Sequence, residues 1–225
     1  MELQEQTLSV LKNFSDINPN ILIKEGNVIK TISEAKNVLA TAIVDNEFTQ
    51  QFGIYDLKEF IGVLSLVDKP SLKFSDESVT ISDQSGRSKI RYFFSPEETL
   101  TSPQKDINMP ECEVQFKLNM DTLSKLRSAA STLGHTNVSV TPGEGVLTLS
   151  VVDNENATSN TYSIDVPYTS KSEQPFTFVI NISNLKIIPG DYDVSISSKL
   201  ISEFKHTSVN VRYWIALEKT SKFGV

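Results

Sequence analysis

The residues best placed for chemistry are cations on predicted helices. Each lies off the apolar face of a predicted helix or turn, and they are Lys12, Lys58, Lys125, Arg127 and Lys186. If such cations gather on one face, they can contact the phosphates of a nucleic acid. The opposing interpretation is a solvated helix face, because Glu5 and Glu59 share the same segments. The residues alone leave both interpretations open.

Catalytic and metal-binding patterns are absent from the sequence. It contains no phosphate-binding loop, no dinucleotide fingerprint and no nucleophile elbow. The single Cys112 excludes an intramolecular disulfide, and one cysteine with two histidines cannot build a zinc site of four protein ligands. His135 and His206 are expected on exposed loops or strand edges. We therefore predict no enzyme, no cofactor and no metal.

Composition narrows the class of protein further. The 225 residues are 39% hydrophobic and carry a net charge of −7, from 21 Lys and Arg against 28 Asp and Glu. This balance argues against the ordinary basic domain that binds nucleic acid tightly. No apolar run approaches the roughly 18 residues of a membrane helix, and the acidic start lacks a signal-peptide core. We expect a globular protein of the cell interior.

Apolar spacing predicts few helices and many strands. Helices are predicted at residues 7–14, 56–66 and 121–133, with Asp56 as an N-cap, and at most a short turn at 183–188. Alternating strands flank glycine turns at Gly26, Gly86 and Gly143, which predicts three hairpins. A strand of period two is predicted at 209–217.

The two halves of the chain repeat one plan. Leu8 and Leu11 recur 115 residues later as Leu123 and Leu126, and a glycine turn follows each pair after a similar gap. Between the halves, residues 95–110 hold three prolines and show no periodicity. We predict a domain at 1–94, an interdomain connector at 95–110 and a second domain at 111–225.

Several segments resemble the sliding clamps of T-even-type bacteriophages. The most specific is 54–67, IYDLKEFIGVLSLV, and LKNFSDIN at 11–18 also matches. Shorter matches are FVIN at 178–181, IPGDY at 188–192 and ALE at 216–218, so the likeness follows the whole chain in order. The resemblance implies an α+β DNA-clamp fold. Two similar β-rich domains, each with short helices on one face of antiparallel sheets, would close into a ring as a homotrimer.

The resemblance also implies a function. The chain would be a DNA polymerase processivity factor that encircles duplex DNA, is opened by a clamp-loader ATPase and acts at the phage replication fork in the host cell cytoplasm. The five cations would face the DNA. A partner peptide would dock near the connector, with Ile107, Met109, Ala216 and Leu217 as candidates, although these residues could instead pack the domain junction. Whether the chain also meets late-transcription proteins is left open.

One competing class fits part of the pattern. A structural virion protein built from two β-rich domains would explain the Ser/Thr-rich strands and the lack of catalytic groups. It would not explain the cations on three helices. The two classes differ in assembly, since the clamp should be a trimer of 25.0 kDa chains.

Overall fold

The computed structural model describes residues 1–156 and 158–224 and shows an α+β protein of two compact units, Met1–Lys105 and Asp106–Val225. Three α-helices are present in the described residues: α1 (Glu5–Ile17), α2 (Leu57–Ser65) and α3 (Met120–Leu133). Short 3₁₀ turns occupy Glu97–Thr99 and Ile182–Asn184. None of the helices within these ranges is long and apolar enough to cross a membrane.

The first unit is built from antiparallel strands around α1 and α2. Strands β2 and β3 pair with each other, β1 pairs with β4, and β5, β6 and β7 form a three-stranded sheet in that order. Their bounds are β1 Ile21–Ile23, β2 Gly26–Ile32, β3 Val38–Phe48, β4 Phe52–Ile54, β5 Ser71–Phe74, β6 Ser78–Ser82 and β7 Lys89–Phe93.

The second unit contains two larger antiparallel arrays. One has the order β11-β10-β9-β13-β17, and the other runs β12-β8-β14-β15-β16. The bounds are β8 Val114–Leu118, β9 Asn137–Pro142, β10 Leu147–Val152, β11 Tyr162–Val166, β12 Tyr168–Ser170, β13 Phe176–Asn181, β14 Tyr192–Ser197, β15 Ile201–His206, β16 Val211–Ala216 and β17 Lys222–Phe223.

Both units follow the same plan, as the sequence repeat predicts. In each, a helix is followed by a group of strands, then by a capped helix or turn, and then by three consecutive antiparallel strands; the second unit adds β8 before its helix and β17 at its end. The β1–β4 pair of the first unit corresponds to the β9–β13 pair of the second. The caps correspond too, since Asp56 accepts from the Glu59 N–H at 2.9 Å and Asn181 accepts from the Ser183 N–H at 3.0 Å.

The three predicted helices are confirmed within a few residues at each end. α1 buries Val10, Leu11 and Phe14 at 1% exposure or less, because their spacing places them on one stripe of the helix. Burial of each such side chain contributes roughly 1.5–3 kcal/mol. α3 is capped at its start by Asn119, whose side chain accepts from the Thr122 N–H at 2.8 Å, and at its end by Gly134 in the left-handed conformation with φ +71°.

The first predicted hairpin is wrong, whereas the hairpins at Gly86 and Gly143 are confirmed. β1 pairs with β4 rather than with β2, and β2 pairs with β3. All three residues of β1 are buried, as are those of β4. The packing of the surrounding elements determines the partner of a strand that is buried on both faces. The turn residues beside β1 therefore did not decide its pairing.

The start of the predicted connector is hydrogen-bonded to the first unit. The Ser95 N–H donates to the Gly53 carbonyl at 2.9 Å. Further along, the Thr101 N–H donates to the Asn20 side chain at 2.8 Å, and the Asn18 amide donates to the Thr101 carbonyl at 3.1 Å. Residues 95–101 are therefore hydrogen-bonded to the first unit and do not form a free linker. The connector bounds of 95–110 remain a prediction.

Candidate nucleic-acid interface

The helices of the first unit present exposed lysines on the sides that do not pack on the core. Lys12 of α1 and Lys58 of α2 are both exposed. The Lys58 ammonium lies 2.8 Å from the Asp16 carboxylate, so an ion pair joins α2 to α1. The hydrogen bond and charge of Asp16 raise the pKa of Lys58. This pairing cancels much of the positive charge that Lys58 would offer to a phosphate.

Lys125 of α3 is paired in the same way within its own helix. Its ammonium lies 2.6 Å from the carboxylate of Asp121, one turn earlier. The hydrogen bond to Asp121 and its negative charge raise the pKa of Lys125. Both partners are largely exposed, so water and salt screen the attraction between them.

Arg127 is held differently from the lysines. Its guanidinium donates to the Leu185 carbonyl and therefore ties α3 to the segment that follows the Ile182–Asn184 turn. The side chain is half-buried, and burial lowers the pKa of the guanidinium. Arg127 thus has a structural contact in addition to any contact with a ligand.

An open cleft brings Arg127 and Lys186 together. It lies between the end of α3 and the Ile182–Asn184 turn and has a volume of about 460 Å³. We call it the α3 cleft, and its lining includes Arg127, Ser131, Gly134, His135, Ser183 and Lys186. Lys12, Lys58 and Lys125 do not line it, so the structure brings two of the five predicted cations into one site.

The predicted peptide-pocket residues differ in exposure. Ile107 and Met109 are half-buried, and Ala216 is exposed at the end of β16. Leu217 is 6% exposed, and its N–H donates to the Leu200 carbonyl at 3.0 Å. Leu217 therefore packs mainly in the core, whereas Ala216 is accessible to a partner.

Sequence reasoning missed three features of these sites. Leu200 is 38% exposed beside Leu217 and has φ +62°, which no sequence signal indicates for a leucine. Asp121 was visible as an acidic residue four positions before Lys125, a spacing typical of helical ion pairs. His135 lies in the α3 cleft and bonds to the Asn160 carbonyl at 2.8 Å.

The expectation of an exposed His206 is wrong. Its side chain is buried at 8% exposure, because its Nδ1 accepts from the N–H groups of Ser208 and Val209 and its ring packs on Tyr192. Among the residues that the structure describes, no group of three or more His, Cys, Asp or Glu is placed to hold a metal ion.

Comparison with known families gives two matches, one in each unit. The family model of the DNA polymerase processivity factor matches residues 4–98, and that of the gp45 sliding clamp, C terminal, matches residues 115–219. The sliding clamp of Vibrio phage KVP40 is 30% identical over 223 residues, covering 97% of this chain and 99% of its own. Those of Escherichia phage RB69 and Enterobacteria phage T4 are 29% and 28% identical, each with 98% coverage of both chains.

Solved structures give the same fold at low identity. The proliferating cellular nuclear antigen of Entamoeba histolytica is similar with a TM-score of 0.69 and 13% identity, covering 95% of each chain. The PCNA2–PCNA3 complex of Sulfolobus tokodaii gives a TM-score of 0.65, with 13% identity and coverage of 94% and 95%. At this identity the likeness concerns the fold alone.

Proposed function

The chain belongs to the family of phage sliding clamps, and on that premise we propose that three copies close into a ring around duplex DNA. A sliding clamp is a processivity factor, which keeps a DNA polymerase on its template during phage DNA replication. The observation that carries the ring is the repeated plan of the two units. Three chains supply six such units, enough to surround a duplex that two units could not enclose.

The distribution of charge in the chain predicts that the proposed contact with DNA is weak. Lys12, Lys58, Lys125, Arg127 and Lys186 would face the duplex. Lys58 and Lys125 already have carboxylate partners, and the whole chain carries −7. A ring holds DNA by topology, so strong phosphate contacts would slow its sliding without improving its hold. The excess of acidic residues also repels DNA that has not been loaded.

Two strand edges are suited to join the copies. β7 lies at one edge of its three-stranded sheet, and β11 lies at the edge of its five-stranded sheet. β7 exposes Lys89 and Arg91, whereas β11 exposes Asp165. Within the part of the chain that the structure describes, each edge carries backbone groups without a partner, and pairing of β7 with β11 of the next copy would supply partners to both edges. The opposite charges favour this pairing over the pairing of like edges.

The partner peptide is proposed to dock on the second unit beside the connector. Ile107, Met109 and Ala216 supply accessible apolar surface, and Leu217 supports it from the core. Leu200 extends the same surface, since its carbonyl bonds to the Leu217 N–H. A tail of the DNA polymerase with an apolar anchor is the proposed occupant.

The proposed action is mechanical rather than catalytic. A clamp-loader ATPase would supply the energy to open the ring, because the chain itself has no nucleotide-binding motif. The site of action would be the replication fork in the host cell cytoplasm. Late-transcription proteins with similar tails would compete for the same surface.

The decisive experiment compares circular with linear DNA. After loading by the phage loader, the protein should stay on a nicked circle and be lost when the circle is cut, because only topology holds it. Tight, salt-sensitive binding to short linear duplex would contradict the ring.

On the same loaded circles, replacing Ile107 and Met109 with serine should reduce retention of the polymerase and leave retention of the clamp unchanged. Unchanged polymerase retention would place the pocket elsewhere.

A further inference from the structure

The single tryptophan of the chain is buried with its indole N–H unpaired. Trp214 is 9% exposed, and its Nε1 has no hydrogen-bond partner within the residues that the structure describes. An indole nitrogen only donates, so the missing group is an acceptor. A buried donor that has lost water without gaining an acceptor costs free energy, and folded proteins keep few of them. Trp214 is therefore a place where a bound ligand can supply what the folded chain lacks.

Trp214 lies on the same face of β16 as part of the proposed peptide pocket. Tyr213 and Ile215, on either side of it in sequence, are fully buried on the core face of the strand. Side chains alternate between the two faces of a strand, so Trp214 shares the outward face with the exposed Ala216. The next strand extends this face, because Ile201 of β15 pairs with Ala216. The unpaired donor therefore borders the surface to which the polymerase tail is assigned.

The carboxylate nearest to Trp214 along the ladder is directed to another partner. Glu203 of β15 lies directly opposite Trp214, a position that brings two Cβ atoms to roughly 5 Å. The Glu203 carboxylate instead lies 3.6 Å from the guanidinium of Arg212, and its side chain is only 18% exposed. Glu203 therefore forms an ion pair on the same face and leaves the Trp214 N–H without an acceptor.

The charges around this face select the kind of acceptor. Burial, followed by the negative charges of Glu113 and Glu203, raises the pKa of the Cys112 thiol. The same two carboxylates would repel a carboxylate ligand placed beside Trp214, whereas a neutral carbonyl would meet no such repulsion. Main-chain and amide carbonyls are the neutral acceptors that every peptide offers. The acceptor that suits Trp214 is therefore an uncharged carbonyl of a peptide.

We propose that Trp214 is a specificity-determining residue of the peptide pocket, and that its indole N–H donates to an uncharged carbonyl of the docked polymerase tail. This inference rests on the proposed function and deepens it. The Nε1 atom is covered in the free protein, so the tail reaches it by displacing the side chains that cover it. Ala216 and Leu200 supply apolar contact area, whereas the hydrogen bond selects the register of the tail. A tail that places an apolar group against the indole leaves the donor unpaired and binds less tightly.

The first test adds a synthetic peptide with the sequence of the tail of the phage DNA polymerase to the intact protein. Because the chain has one tryptophan, its indole gives a single N–H cross-peak in a nitrogen–proton NMR spectrum. A hydrogen bond to the tail should move the indole proton resonance downfield as the peptide is added. An indole cross-peak that stays in place, while other resonances report binding of the tail, would overturn the proposal.

The second test removes the donor. Trp214→Phe keeps an aromatic ring but loses the N–H, and it should weaken binding of the tail peptide by about fivefold, the effect of one net hydrogen bond. Tyr168→Phe is the matched control, because it also removes the polar hydrogen of an aromatic side chain, from the exposed β12 of the same array. The control should leave the affinity unchanged. An affinity of Trp214→Phe equal to that of the unchanged protein would contradict the proposal.

A chemical replacement separates the hydrogen bond from the packing of the ring. Benzothienylalanine, the sulfur analogue of tryptophan, has nearly the same shape and no N–H, and the single tryptophan allows its incorporation at position 214 alone. The analogue protein should lose the same fivefold in affinity. Its free energy of unfolding should be equal or higher, because the unpaired donor is gone. Full affinity in the analogue protein would show that only the packing of the ring matters, and would overturn the proposal even if Trp214→Phe failed to fold.

The kind of acceptor is tested with a tail peptide that is amidated at its carboxyl end. The fivefold effect of Trp214→Phe should persist with this peptide, since an internal carbonyl is unchanged by the amidation. Disappearance of the effect would identify the terminal carboxylate as the acceptor and overturn the assignment to an uncharged carbonyl. If the unchanged protein binds no tail peptide, the proposed pocket and this inference fail together, whereas binding without any effect of Trp214 overturns this inference alone. Retention of the unchanged protein on DNA circles is scored separately from both.

Discussion

At the scale of single residues, the surroundings of His206 show how closely the second unit is packed. Its Nδ1 accepts from the N–H groups of Ser208 and Val209 at 3.0 and 3.2 Å, and its ring meets Tyr192 edge to face at 5.0 Å. Two donors facing Nδ1 require it to be the unprotonated nitrogen. The Nε2 edge of the His206 ring lies against Gly190, so there is no space for a side chain at position 190.

Gly190→Ala should therefore destabilise the protein. The added Cβ would lie 2.1 Å from His206 Nε2, and the backbone has φ +154°, which only glycine adopts readily. We expect a loss of about 2 kcal/mol or more in the free energy of unfolding, measured by urea denaturation. Gly62→Ala is the control, because it lies in α2 with nothing within 4 Å, and it should stabilise by about 0.5–1 kcal/mol. Equal free energies of unfolding for the two variants would show that His206 does not exclude a side chain at position 190.

At the scale of elements, the turn between β14 and β15 is held by a carboxylate from before β8. Glu113 accepts from the Ser198 N–H at 2.7 Å and from the Ser198 hydroxyl at 2.5 Å. This contact fixes the turn in which Leu200 has φ +62°. Since Leu200 borders the proposed peptide pocket, the turn links a structural contact to a binding surface.

The Glu113 contact predicts a pH dependence of stability. Partial burial raises the pKa of Glu113, but the hydrogen bonds from Ser198 outweigh it and leave the pKa lowered. A lowered pKa in the folded state stabilises the fold above the unfolded value of about 4.3, and this stabilisation is lost as pH falls through the folded pKa. Glu113→Gln should thus be less stable than the unchanged protein at pH 7, with the difference vanishing in acid.

Urea unfolding at pH 7, pH 5 and pH 3 measures this difference. Glu111→Gln, an exposed neighbour, is the control and should follow the unchanged protein at every pH. A Glu113→Gln difference of constant size across the series would show that the carboxylate charge plays no part in holding the turn.

At the scale of the whole molecule, assembly and charge act together. Net charge of −7 disfavours simple DNA binding, so retention must come from closure of the ring. In the proposed ring, closure would depend on the β7 and β11 edges, whose backbone groups lack partners within the described chain and which carry opposite charges. The exposed Phe93, over which Arg91 lies at 4.8 Å, adds apolar surface to the β7 edge.

Reversing the charge of one edge should open the ring. Arg91→Glu should shift the trimer toward monomer, seen by light scattering over a range of concentrations as a fall from three chains of 25.0 kDa to one. Adding Asp165→Lys to it should restore the trimer, because opposite charges would again face each other. Lys73→Glu, on β5 at the other edge of the same sheet, makes the same charge change and should have no effect. If the Arg91→Glu variant remained a trimer, β7 would not form part of the interface between copies.

Local sequence patterns determined much of this protein by themselves. The three helices follow from apolar residues at helical spacing, and Asp56 is an N-cap as its residue type and place predicted. The repeat between Leu8 and Leu123 indicated two units of one plan, and the segment 54–67 indicated the family. These features are readable because periodicity and capping depend on neighbours within a few residues.

Only the tertiary structure decided the partners across the chain. It paired β1 with β4, placed Asp16 against Lys58, buried His206 and brought Arg127 to the carbonyl of Leu185. It also formed the α3 cleft from residues at either end of a long sequence separation. The physical reason is that a local pattern sets the conformation and the buried face of an element. Which distant element covers that face is set by the packing of the whole unit.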